Sequence, residues 1–218
     1  MVYIFFANIN VFKNETDYAS AYNQVNEIRR KKVDKNKNQL DKQRSLLAGY
    51  LLKYAIIKRG IDYDTCEFVV DESGYEHILN RDDLFFSLSH AGDVCVCAFA
   101  DAVVGVDVEC SSRFENMNKE RISKRIMSSE ELFIYDSYKS DNRIAFLSKL
   151  WTRKEAFSKV CKKGLSMDFK KIDTLDECKF RTFSVYNDYW ISVSSAKKID
   201  DDSLKIFDVT ADLEAYNA

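Results

Sequence analysis

The chain of 218 residues contains no proline, only six glycines and only two histidines. Without proline, a Pro-rich linker and proline-set turns are excluded. Two histidines and no Cys-x-x-Cys pair argue against a zinc centre. No stretch approaches the ~20 consecutive apolar residues that cross a bilayer. Charge is nearly balanced: 33 Lys and Arg against 35 Asp and Glu leave a formal net charge of −2, so no global field invites nucleic acid. The apolar start over 1–12 lacks a basic leader and is broken by Asn8, so it reads as a buried strand over 2–7 in a cytosolic protein. In that setting the six cysteines are expected as reduced thiols.

What is present suits a globular protein, with 46% hydrophobic and 31% charged residues in one large domain or two small ones sharing a core. Helical spacing covers about 15–33 and 38–58; in the second segment Leu40, Leu47, Leu51, Tyr54 and Ile57 form a stripe on which Arg44 also falls. From about 66 the period changes to two. A hairpin is predicted around Asp71-Glu72-Ser73-Gly74, then strands over 85–89, 93–100 and 103–109, with Cys95 and Cys97 facing the same way as small apolar residues. Helices follow near 117–139, where Ser128-Ser129-Glu130-Glu131 offers a capping start, and over about 142–161; strands are expected near 180–186, 189–195 and 204–210. Helix-then-strands thus occurs twice. Phe86, Leu88, Val94, Val96 and Ala98 have counterparts at identical spacing in Phe183, Val185, Ile191, Val193 and Ser195, as an internal duplication would leave.

Four local features carry chemistry. In Gly105-Val106-Asp107-Val108-Glu109, strand alternation puts Asp107 and Glu109 on one face, about 6.5–7 Å apart. They repel unless a cation lies between them, and oxygen-only ligands suit a hard ion such as magnesium; an edge strand with a solvated acidic face would look the same. In Trp151-Thr152-Arg153-Lys154-Glu155-Ala156-Phe157-Ser158-Lys159, residues 151, 155 and 159 share a helix face. Glu155 and Lys159 make an ordinary surface pair there, unless the apolar side with Leu147 and Trp151 packs on the sheet and leaves Glu155 at the core edge in need of a cation. Phe85-Phe86-Ser87-Leu88-Ser89-His90 ends a strand in a polar turn, where an imidazolium suits a phosphate and a capping role suits equally. The basic run from Arg29 to Arg44 reads as a solvated helix and loop, with Arg44 the best candidate for lining a groove.

Ser89-His90, then 105–109, then 151–159, with Gln43-Arg44-Ser45-Leu46-Leu47 before them and Lys163-Gly164-Leu165-Ser166 after, resemble in order and separation the phosphopantetheinyl transferases of the surfactin-synthetase-activating type. The resemblance covers roughly 29–170. It implies an α/β (α+β) fold of two similar halves related by a pseudo-twofold axis, 1–105 and 106–218, each a small mostly antiparallel sheet packed with helices, with a cleft between. It implies a cytoplasmic monomer that moves phosphopantetheine from coenzyme A to the serine of an acyl or peptidyl carrier protein and releases 3′,5′-bisphosphoadenosine, as in secondary metabolite synthesis. Asp107, Glu109 and Glu155 match the positions holding magnesium, for which manganese substitutes. Ser89, His90 and Arg44 match contacts to the coenzyme's phosphates, His90 and Arg44 at the 3′-phosphate. Lys154 and Lys159 match the lysines flanking the metal glutamate and are both expected to bind the coenzyme, Lys159 approaching the pyrophosphate; Asp107, Glu155 and Lys159 are the expected catalytic set. Glu130 resembles a further acidic position, and 111–139, with Arg113, Phe114, Met117, Lys119, Arg121, Lys124 and Arg125, the lip that receives an acidic carrier, although a plain amphipathic helix fits it as well. One departure stands out: many relatives carry Gly-Lys-Pro where this chain has Gly74-Tyr75-Glu76. That break leaves a coenzyme-binding module without catalysis as a rival, and the same acids acting on water leave a metal-dependent phosphohydrolase as another.

Overall fold

The computed structural model describes residues 1–217; the side chain of Leu165, in the 163–166 motif, lies outside the described set. In a chain without proline, asparagine marks the helix starts. Asn14, Asn26 and Asn38 accept backbone N–H bonds at the heads of α1 (Glu15–Gln24), α2 (Glu27–Lys35) and α3 (Gln39–Lys58). The cap at Asn26 divides the single helix expected over 15–33 into two. Asn118 caps α5 (Lys119–Ile126), which follows the one-turn α4 (Ser112–Glu115). Ser128 and Glu131 form a complete capping box on α6 (Ser129–Ser137), and the 21-residue α7 (Ser140–Val160) comes next.

Two sheets stack between these helices. The first has the order β4 (Phe85–Ala91), β5 (Val94–Ala100), β1 (Val2–Asn8), β9 (Leu204–Asp208), antiparallel except for the β1–β9 pair. The second has the antiparallel order β6 (Val104–Cys110), β8 (Tyr189–Ser195), β7 (Phe180–Val185). A separate hairpin joins β2 (Phe68–Val70) to β3 (Glu76–Ile78). Strand alternation divides the core: Phe5, Ala7, Cys95, Cys97 and Phe99 face Leu47, Leu51 and Ile56 of α3, so both cysteines pack as small apolar groups. Ile4, Phe6, Val94, Val96 and Ala98 face Val104, Val106, Val108, Ile191 and Val193 of the second sheet. The far side of the second sheet carries α7. The fold is therefore mixed α/β, small mostly antiparallel sheets packed with helices.

Two details depart from the sequence reading. The spacing between 86–98 and 183–195 would set Val185 opposite Ser194, as Leu88 is opposite Cys97, but Val185 faces Tyr189. The matching hydrophobic letters therefore occupy different ladder registers. The chain also ends in a helix not foreseen, α8 (Thr210–Asn217), which packs beside β1 after β9 has joined the first sheet.

Candidate active site

The site begins with a close approach. A Cβ on Gly105 would lie 2.0 Å from the Ala156 carbonyl oxygen, so only glycine lets α7 sit this near β6. The contact is otherwise made of small residues: Ser148, Thr152 and Ala156 are buried there, with Thr152 Oγ1 2.7 Å from Ser192 Oγ. The apolar side carrying Leu147 and Trp151 turns instead toward Phe114, Met127 and Phe169, the helical layer, rather than onto the sheet as the spacing suggested. Packing α7 on β6 through small residues aims the next turn, Glu155 and Lys159, at the acidic face of β6.

On that face Asp107 and Glu109 are both buried, 6% and 8% exposed, and each carboxylate meets a cation. Lys159 Nζ donates to Asp107 Oδ1 at 2.9 Å and to the Val106 carbonyl at 2.7 Å. Ser89 Oγ, arriving on β4, donates to the same Asp107 oxygen at 2.7 Å. Glu109 is paired with Arg113. Among the described residues Glu155 has no ion-pair partner. Burial, and then the charge of Asp107, push its carboxyl above the ordinary glutamate value against the pull of Lys159 and Arg113.

Among the described residues no three acidic, histidine or cysteine side chains are arranged to hold a metal ion. The donor chemistry of Asp107, Glu109 and Glu155 nevertheless fits a hard divalent cation: all ligands are oxygens, and Asp107 raises the Glu155 pKa, a penalty that a shared cation would remove.

Around this acidic centre lies a groove of basic character. A cavity of about 570 Å³ is walled by Tyr75, Glu76, Phe86, Leu88, Glu155 and Lys159. It runs into a space lined by Arg29, Lys32, Ser89, His90 and Lys159, and His90 links that to another holding Arg44, Glu109 and Arg113. Arg44 donates from Nε to the Gly92 carbonyl at 2.6 Å and from Nη1 to Asp41 at 2.9 Å, which fixes the guanidinium at the groove wall. His90 stands open to solvent at the end of β4; packing about the ring and the Arg44 and Lys159 charges hold it below the ordinary imidazole value. Tyr75 and Glu76, at the position of the family's Gly-Lys-Pro, are part of this wall. Glu76, its side chain 3% exposed, receives Arg29 at 2.6 Å and Lys32 at 3.1 Å. Both bases had read as members of a solvated run. Their i, i+3 spacing on a helix capped by Asn26 was the signal that one face turns inward.

Lys154 departs from its expected place beside phosphates. Its side chain is 0% exposed and its ammonium bonds Glu131 at 2.8 Å and the carbonyls of Phe169 and Ile172 at 2.7 and 2.9 Å. All three N–H donors are spent inside the helical layer. The acid that matters there is Glu131; Glu130 is exposed. On the expected carrier lip, Arg113, Met117, Arg121, Lys124 and Arg125 are exposed and Lys119 half-buried, but Phe114 belongs to the core, and Phe133, 80% exposed on α6, supplies apolar surface the sequence reading did not name.

The profile of the 4′-phosphopantetheinyl transferase superfamily matches residues 103–198, the segment that carries Asp107, Glu109, Glu155 and Lys159. A 4′-phosphopantetheinyl transferase of Bacillus subtilis is 27% identical over 79% of this chain and 82% of its own length. The Bacillus pumilus transferase psf-1 is 30% identical over 58% of the chain and 53% of its own length. A holo-[acyl-carrier-protein] synthase of Staphylococcus haemolyticus is 34% identical over 42% of the chain and 82% of its own length. The chain belongs to the 4′-phosphopantetheinyl transferase superfamily, and it is an enzyme of that class.

Proposed function

We propose that this enzyme transfers the 4′-phosphopantetheine arm of coenzyme A to a serine of an acyl or peptidyl carrier protein and releases 3′,5′-bisphosphoadenosine. The observation that carries the reading is the placement of Glu155 and Lys159 together in the cavity beside Asp107, within a groove walled by Arg29, Lys32, Arg44 and His90. Arg44 and His90 stand at one end of that groove and suit the 3′-phosphate; Ser89 and Lys159 stand at its centre and suit the pyrophosphate. A divalent ion, magnesium or manganese, would be held by Asp107, Glu109 and Glu155 and when bound neutralises charge on the pyrophosphate.

In the transfer, the serine oxygen forms a bond to the phosphorus that bears the pantetheine arm, and the bond from that phosphorus to the bridging oxygen breaks. The bridging oxygen leaves with the bisphosphate. Glu155, which holds a proton more tightly than an ordinary glutamate, accepts the hydroxyl proton directly or through a water. Lys159 offsets the charge growing on the departing oxygen. The acidic carrier docks on the lip formed by α5 and α6, where Arg121, Lys124, Arg125 and Phe133 offer charge and apolar surface.

The test is to incubate the protein with coenzyme A, magnesium and an acidic carrier protein, and to weigh the carrier by mass spectrometry. A carrier heavier by one phosphopantetheine is expected. Bisphosphate release with an unmodified carrier would make the protein a hydrolase, and neither product would leave a binding module.

A further inference from the structure

Glu109 is the one acid of the centre whose cation comes from its own neighbourhood in sequence. Its side chain is 10% exposed and paired with Arg113, four residues on at the start of α4, whose own side chain is 45% exposed. While paired with Glu109, the Arg113 guanidinium also lies 5.4 Å from the Trp151 ring centroid and 5.9 Å from that of Phe114. A carboxylate this buried is costly without a cation, whereas a half-exposed arginine with two aromatic faces beside it moves cheaply.

Charge counting points the same way. Asp107, Glu109 and Glu155 with Lys159 sum to −2, which one divalent ion neutralises; with Arg113 also in place the centre carries −1, and a divalent ion would overshoot. Two cations sharing one carboxylate also repel each other.

We propose that Arg113 is a resident counter-cation of Glu109, and that a divalent ion reaches Glu109 only by displacing the guanidinium from the carboxylate, with the Trp151 and Phe114 rings it already touches keeping it nearby. The inference rests on the metal reading given above. Arg113 is a positioning residue: it keeps Glu109 ordered and paired until the ion arrives, and it lowers the affinity for free metal.

The test is direct manganese binding, followed by electron paramagnetic resonance on the protein without coenzyme A, for the wild type, Arg113→Gln, Arg113→Lys and Glu109→Gln. Removing the competing charge should tighten manganese binding roughly five-fold in Arg113→Gln. Arg113→Lys, which keeps the charge, should stay near the wild type, and Glu109→Gln should bind weakly. Thermal melting gives a second readout: Arg113→Gln should melt lower than the wild type without metal and gain more from added manganese. Equal or weaker manganese binding by Arg113→Gln would overturn the role of Arg113 and leave the metal site standing. No manganese binding by any variant, even after coenzyme A is added, would remove the metal reading itself and this inference with it.

Discussion

Of the three lysines of helix α7, Lys154 and Lys159, five residues apart, are each paired with an acid, and the two pairs do opposite work. Lys154 and Glu131 are 0% and 1% exposed, and the lysine spends its remaining donors on two backbone carbonyls. Lys159 and Asp107 are 21% and 9% exposed, and the lysine opens onto a cavity with one donor to spare. A saturated pair without water can only hold the fold together, by tying α6 and the 169–172 turn to α7. A pair with an unused donor and a solvent path can exchange its partner for a substrate. The same residue type on the same helix is thus structural in one turn and functional in the next, and what separates them is the acceptor count and the access of water.

The largest effect should come from breaking the buried pair. Lys154→Met leaves Glu131 buried without its cation, and urea unfolding should show a loss of about 3–5 kcal/mol, part of it recovered by also making Glu131→Gln, which removes the charge and keeps the cap. Lys159→Met should lose only about 1 kcal/mol of stability while transfer falls about 10²–10³-fold. Equal destabilisation by the two substitutions would end the comparison.

Glu155 lies between the lysines and sharpens it. Glu155→Gln should slow transfer by about 10²–10⁴-fold, yet raise the melting temperature at pH 7. The folded-state pKa lies above the ordinary 4.5, so the protonated carboxyl stabilises the fold below 4.5 and that contribution is lost as pH rises through the folded value. Glutamine keeps it. The difference in melting temperature should therefore vanish below pH 4.5, and a Gln variant that melts lower at pH 7 would contradict the assigned strain.

Smaller effects belong to the groove. Arg44→Ala should raise KM for coenzyme A about ten-fold and leave the KM for its analogue lacking the 3′-phosphate nearly unchanged. Equal rises would reduce Arg44 to its contacts with Gly92 and Asp41. His90, held below the ordinary imidazole value by its surroundings, should be pulled back up by a bound phosphate. Coenzyme binding near pH 6.5 should then take up a fraction of a proton, read as a buffer-dependent heat in titration calorimetry, and His90→Gln should abolish that dependence.

Much of this was legible from spacing. Strand alternation placed Asp107 and Glu109 on one face, and both cysteines of β5 pack as that alternation requires. Helical spacing put Glu155 and Lys159 on one side of α7. Other features needed closer local reading: Glu131 rather than Glu130 follows from counting three residues past the Ser128 cap, and the split of 15–33 follows from Asn26. The letter-for-letter match between 86–98 and 183–195 did not carry the register, because matching letters at a fixed offset hold no information about hairpin pairing, which the two- and three-residue turns set differently.

The sequence by itself determined which side chains share a strand face or a helix face, because those periods belong to the backbone. It also determined the family, through motifs in fixed order. Tertiary structure alone decided what each face meets. The close seat of Ala156 on Gly105 turns Glu155 and Lys159 toward the acidic strand while Lys154, next to them in sequence, is carried into the helical layer. Only packing between distant segments settles which carboxylate each cation reaches, and no local period encodes that.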